Sequence, residues 1–128
     1  MPGALPYLVL VVDDVIETVE AVTVALSDHG FNVNIAFDGR DAIERAIANG
    51  PDVIVMDLAM PRLDGLAATR VLKKDPRTCA IPVVLYTAHA GVELGALARA
   101  AGCAAVVGKS SPPAELLAAV DSALRGDC

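Results

Sequence analysis

A chain of 128 residues with a formal net charge of −6 has the size of one domain, and its acidity argues against a nucleic-acid partner, whose phosphates would repel it. Hydrophobic residues make up 55% of the chain and aromatic ones only 3%, so the core has to be built from Val, Leu, Ile and Ala, a mix unlike that of a disordered or fibrous chain. The three cysteines, Cys79, Cys103 and Cys128, form no Cys-x-x-Cys pair and read as free thiols rather than as a zinc site or a disulfide framework.

The first apolar run, residues 7–12, reads as a strand. It is too short to cross a bilayer and lacks the basic leader and small-residue cleavage site of a signal peptide. The expected location is the cytoplasm, with no membrane contact. Val15, Val19, Val22 and Leu26 then recur at helical spacing, and Gly30 follows where a left-handed cap is expected. Residues 31–36 alternate as a second strand, and the next helix closes at Gly50-Pro51. Residues 53–56 form the third strand, followed by a helix that ends at Asp75-Pro76. The fourth strand, 82–86, leads to a helix over 91–101 closed by Gly102. The fifth, 104–107, leads to a last helix marked by Leu117, Val120 and Leu124. Residues 1–6 and 126–128 read as short frayed ends.

Five strands alternating with five helices call for an α/β doubly wound fold, a parallel sheet covered on both faces. No linker, repeat or low-complexity stretch interrupts it, so residues 1–128 are expected to form a single domain. In such a sheet ligands bind beyond the carboxyl ends of the strands. Asp13 and Asp14 fall at the end of the first strand, Asp57 at the third, Thr87 at the fourth and Lys109 at the fifth. Taken singly, Asp14 could be a helix N-cap, Lys109 a snorkelling lysine and Thr87 an ordinary β-branched strand residue. Three carboxylates converging on one rim would repel each other, and a hard cation such as Mg2+ or Mn2+ resolves that repulsion. Gly108-Lys109-Ser110 is not the end of a phosphate-binding P-loop, because that loop needs a glycine at position 103, where Cys103 stands.

The run Met56-Asp57-Leu58-Ala59-Met60-Pro61-Arg62-Leu63-Asp64-Gly65 resembles the phosphoacceptor segment of response-regulator receiver domains: an aspartate, a Met-Pro pair, then Asp-Gly. Asp13-Asp14, Thr87-Ala88, Lys109 and the Pro113, Glu115, Leu116 entry into the last helix follow in the family's order, so the resemblance covers essentially the whole chain. It implies a flavodoxin-like sheet ordered 2-1-3-4-5 in a single receiver domain, with no room for an output domain. Asp57 would be the phosphoacceptor. Asp13, Asp14, Asp57 and the Ala59 backbone carbonyl would hold Mg2+ or Mn2+, and Thr87, Ala88 and Lys109 would bind the phosphoryl oxygens. Gly65 would serve the tight turn into the third helix. The partners implied are a sensor histidine kinase or phosphotransfer protein and an unknown downstream protein, met through the face of helix four, strand five and helix five. The chain would be a signalling phosphoacceptor that assists its own phosphotransfer and dephosphorylation, not a free-standing enzyme.

The sequence also departs from the family's pattern. Ser110 stands where a proline, often cis, usually follows the lysine; a cis bond before a non-proline costs about 3 kcal/mol. Val106 stands where an aromatic ring commonly swings toward Thr87, and Ser111 where a Phe is common. Ala59 leaves space beside the phosphoryl position, which His89, two residues after Thr87, would overlook to tune hydrolysis; the plainer reading of His89 is an exposed loop residue. Gly95 inside the fourth helix costs about 1 kcal/mol relative to Ala, so that helix is expected to be marginal and to change its order on phosphorylation. Two other readings stand beside this one. The first is a degenerate receiver that binds partners without phosphorylation, and the second a small cofactor binder of the same fold, which the scarcity of aromatics disfavours.

Overall fold

The computed structural model describes residues 6–88 and 90–126. The expectations for the extreme termini, for Cys128 and for His89 therefore fall outside the described residues. Within them, β1 (Leu8–Val12), α1 (Ile16–Asp28), β2 (Asn32–Ala36), α2 (Gly39–Asn49) and β3 (Val53–Met56) are followed by α3 (Gly65–Lys74), β4 (Val83–Thr87), α4 (Val92–Ala101), β5 (Ala105–Gly108) and α5 (Pro113–Leu124). The strands form one parallel sheet in the order β2-β1-β3-β4-β5, as the resemblance implied.

The short apolar runs become strands because both faces of the sheet are covered. Leu10, Val12, Ile54, Met56, Val83 and Leu85 point to the layer that holds Ala42, Ala46, Ala68, Leu72, Leu94 and Ala98. Val9, Val11, Val53, Val55, Val84 and Val107 point the other way, against Val22, Leu26, Leu116 and Val120. Adjacent residues thus alternate between two cores, and no polar face is left on the three inner strands.

Two helical stripes differ from expectation. Val15 is not part of the buried face of α1; it is the exposed N-cap, and Val19, Val22 and Leu26 carry the packing. In α5 the buried stripe is Leu116, Val120 and Ala123, while Leu117 and Leu124 are only partly buried at its edge. Both stripes obey helical spacing, and a helix of sequence PAELLAAVDSAL has apolar residues on too many sides for periodicity to choose between them.

The helix ends follow their punctuation. Gly30, Gly50 and Gly102 take positive φ values of 97°, 55° and 102°, the left-handed conformation that glycine adopts without steric cost. Helices α2 and α3 are capped by Asp38, which accepts from Asp41 N at 2.8 Å, and by Asp64, which accepts from Ala67 N at 2.8 Å. Helix α4 begins one residue after Gly91, which caps it without a side chain. Among the described residues no helix is long and apolar enough to cross a membrane. Cys79 and Cys103 are free thiols.

Candidate functional site

Register explains how two carboxylates meet. Val12 and Met56 are paired across β1 and β3, so the next residue of each strand, Asp13 and Asp57, leaves the sheet side by side. Asp57 N donates to Val12 O at 2.9 Å, and Asp13 N to Ala36 O at 3.2 Å. Asp13 and Asp57 are 2% and 6% exposed, whereas Asp14 is open to solvent. Ligating atoms of all three lie within 4.8 Å of one another.

Thr87 and Gly108 are paired at the ends of β4 and β5, which brings Lys109 back over the same rim, its backbone N donating to Thr87 O at 2.7 Å. The ammonium donates to Asp13 Oδ2 at 2.7 Å and stands 3.4 Å from Asp57 Oδ1. It lies between the two carboxylates and bonds Asp13 more closely, a pairing across 96 positions of sequence that no local pattern announces. No peptide bond among the described residues is cis, so the Lys109–Ser110 bond is trans, and the lysine reaches the carboxylates without the usual proline.

Burial, and next the neighbouring Asp13 carboxylate, push the Asp57 carboxyl above its ordinary pKa, while Lys109 and the Leu58 N–H pull it back. Burial alone would lower the Lys109 ammonium, but its contacts with Asp13 and Asp57 outweigh that, and its pKa is raised. The lysine is therefore a fixed positive charge, and Asp57 a carboxylate whose negative charge is poorly compensated.

Asp14 does not cap α1. Asp13 satisfies the open N–H of Val15 instead, through Oδ1 at 2.9 Å, and Asp14, though exposed, keeps its carboxylate within 4.8 Å of those of Asp13 and Asp57. Gly65 also differs from expectation. Its φ is not in the left-handed range; it is glycine because a Cβ there would overlap the carbonyl oxygen of Asp57. Its N–H donates to Leu58 O at 2.8 Å, closing the loop that carries Ala59. Asp64, one residue earlier, caps α3. The Asp-Gly pair thus has two separate jobs, a cap and a close approach, which a reading for turn residues alone misses.

Thr87 is buried at the rim and Ala88 is exposed beside it. Val106 is half-buried on the α4 side of the sheet. It lines an open cleft of about 510 Å3 between α4 and β5, together with Gly91, Val92, Gly95, Ala98 and Arg99. Among the described residues no aromatic side chain lines that cleft. Ala59 is exposed in the loop after β3.

The donor set fits a hard divalent cation. Three carboxylates at one rim, two of them buried, carry more negative charge than one lysine offsets, and oxygen is the donor Mg2+ prefers.

Residues 9–121 match the response regulator receiver domain family. The chain belongs to that family, the receiver domains of two-component signalling. It is 43% identical over 79 residues to Protein PilH of Pseudomonas aeruginosa (62% of this chain, 65% of PilH). It is 35% identical over 121 residues to the response regulator MprA of Mycolicibacterium vanbaalenii (94% of this chain, 52% of MprA). The chain thus spans about half to two thirds of these relatives, and only 18% of the response regulator PleD of Caulobacter vibrioides, to which it is 42% identical over 83 residues. Among solved structures it is similar to chemotaxis response regulator CheY4 of Vibrio cholerae, at 28% identity and a TM-score of 0.84 over 91% of this chain and 97% of that one. It is also similar to a LuxR-family two-component response regulator from Aurantimonas, at 31% identity and a TM-score of 0.89 over 94% and 86%.

Proposed function

We propose that this chain is an active phosphoacceptor, in which Asp57 takes a phosphoryl group from a phosphohistidine of a sensor histidine kinase or phosphotransfer protein, or from a small phosphodonor. The observation that carries the reading is the convergence of Asp13, Asp14 and Asp57 within 4.8 Å of one another, with the Lys109 ammonium held between two of them. Asp13, Asp14, Asp57 and the Ala59 carbonyl would hold Mg2+ or Mn2+. The cation, when bound, neutralises charge on the phosphoryl oxygens.

The chain's own groups do the remaining work. A carboxylate oxygen of Asp57 forms the new bond to phosphorus as the bond to the donor nitrogen breaks; the donor ring, protonated on its other nitrogen, keeps the electron pair and leaves as a neutral imidazole, with an acyl phosphate on the protein. Lys109 supplies positive charge to the transferred group, and the Thr87 hydroxyl and Ala88 N–H donate to its oxygens. Burial of Asp57 keeps water away from the bond being made. The signal then leaves through the face of α4, β5 and α5 to a downstream protein by a shift in conformational population.

The rival reading, a degenerate receiver that binds without phosphorylation, rests on Ser110 and Val106. The contacts of Lys109 with both buried aspartates favour the active reading. Intact-mass measurement after incubation with acetyl phosphate and Mg2+ separates the two. An increment of one phosphoryl group in the wild type, lost in Asp57→Asn and on chelation of the metal, is expected. An unmodified wild-type protein would establish the rival.

A further inference from the structure

The loop between Asp57 and Gly65 carries the phosphoacceptor at its start and Ala59 in its interior, so its path fixes both groups. Its two ends are held by backbone contacts within the sheet rim, from Asp57 N to Val12 O at 2.9 Å and from Gly65 N to Leu58 O at 2.8 Å. Its middle is held by something else. Leu63 N donates back to Pro61 O at 2.8 Å, and the residue they enclose, Arg62, adopts a φ of 70°, a left-handed conformation that costs an L-residue energy unless its surroundings impose it. The imposing surface is the corner between β2 and α2. A Cβ on Gly39 would overlap the carbonyl oxygen of Leu63 and stand 3.0 Å from the Leu63 Cβ. Asp38 caps α2 through Oδ1 and faces the Arg62 guanidinium with Oδ2 at 3.6 Å. That ion pair is exposed on the arginine side and contributes little by itself; the bare backbone of Gly39 forms the seat.

We infer that Gly39, by seating the Leu63 carbonyl against the first turn of α2, is a positioning residue for the phosphoacceptor loop and thereby for the cation site. The corner meets the site directly only at the end of β2, where Ala36 O accepts from Asp13 N at 3.2 Å; Gly39, at the start of α2, acts through the loop. The inference rests on the phosphoacceptor reading for its consequence, not for its mechanics. A Cβ at position 39 cannot be accommodated by rotating a side chain, because the atom in its way is backbone. The Leu63 carbonyl has to move, and the residues up to Ala59 are the short segment through which that movement reaches the rim. Outer supports of a metal site commonly change affinity by 10- to 100-fold when removed.

The test compares amide NMR spectra and Mg2+ titrations of the wild type, Gly39→Ala, and the control Gly102→Ala. In the control the atoms nearest a Cβ would be those of the flexible Lys73 side chain, the first at 2.9 Å, in a residue with a φ of +102° at the opposite end of the sheet. In the metal-free proteins, Gly39→Ala should move the amide signals of residues 58–64 and Gly102→Ala should leave them in place. Unmoved signals in Gly39→Ala would overturn the mechanical coupling whether or not the wild type binds metal. With Mg2+, Gly39→Ala should bind about tenfold more weakly than the wild type and Gly102→Ala within twofold of it. A Gly39→Ala affinity equal to that of the wild type would overturn the inference, while a wild type that fails to bind would overturn the phosphoacceptor reading instead. Should Gly39→Ala not fold, the pair Arg62→Gly and Arg62→Val decides. Glycine accepts the left-handed conformation and should keep wild-type affinity; valine resists it and should lose affinity. Equal affinities for the two would refute the role of the loop's path.

Discussion

The two halves of the sheet's rim are built differently. On the β1–β3 side the turns are tied down by side chains or by close backbone approach, although α1, like the helices across the sheet, starts without a side-chain cap. Asp13 bonds Val15 N, Asp57 N bonds the carbonyl of Val12, Asp64 and Asp38 cap their helices, and Gly39 and Gly65 let backbones approach where a Cβ would collide. On the β4–β5 side, α4 and α5 start without side-chain caps, Gly95 sits inside α4, and Val92 stands 93% exposed. The side that would hold the phosphoacceptor and the cation is the more restrained, while the β4–β5 side, which brings Thr87 and Lys109 to the rim and carries the face assigned to signalling, has fewer local restraints. Precise placement serves phosphoryl transfer, and loosely held elements are the ones a ligand or modification can shift.

That contrast can be broken or sharpened by substitution. The largest effect is expected at Gly65→Ala, whose new Cβ would collide with the Asp57 carbonyl. A loss of about 1–3 kcal/mol in urea unfolding, together with slower phosphorylation by acetyl phosphate, is the expected outcome; unchanged stability and rate would show that the β3–α3 loop has slack. The opposite sign is expected across the sheet. At Gly95 a Cβ meets nothing within 4 Å, so Gly95→Ala should stabilise by about 1 kcal/mol through helix propensity. It should also slow amide exchange in α4, which in the wild type should exchange faster than α1. Equal protection of α4 and α1 in the wild type would remove the basis for calling the β4–β5 side looser.

The smallest effect belongs to a surface pair remote from both sides. Asp75 accepts from the Arg77 guanidinium, with Nη2 to Oδ2 at 2.8 Å, and from Arg77 N at 2.8 Å. Hydrogen bonds from Arg77 hold its carboxyl at about 2, below the ordinary 3.8. Because the folded value is depressed, the stabilisation is present above pH 3.8 and is lost as the pH falls toward 2. Asp75→Asn should therefore remove a slight part of the stability difference between pH 4 and pH 2, measured by chemical unfolding. An identical difference in the variant would assign the acid sensitivity to other carboxylates.

Much of this architecture was legible in the sequence because it rests on local signals. The strands could be placed within a residue or so because parallel strands covered on both faces are continuous apolar runs, and glycines after the first and fourth helices mark left-handed ends. The positions of Asp13 and Asp57 followed from where those runs stop. What local signals could not supply were pairings across the chain. Lys109 reaches Asp13 more closely than Asp57, and Gly39 and Gly65 are required by backbones 24 and 8 residues distant, at Leu63 and Asp57. In α5 an alanine-rich, nearly all-round apolar surface made Leu117 and Leu124 look as buried as Leu116 and Ala123, and only packing on Val107 and its neighbours decides between the stripes.

The central claim is that Asp13, Asp14 and Asp57 form a cation site that readies Asp57. Titration of the metal-free protein with Mg2+, followed by the amide signals of residues 13, 57 and 109, tests it most directly. Saturable binding in the millimolar range or tighter, abolished in Asp13→Asn, is the predicted result. Signals that do not move up to tens of millimolar Mg2+ in a folded wild-type protein would contradict it.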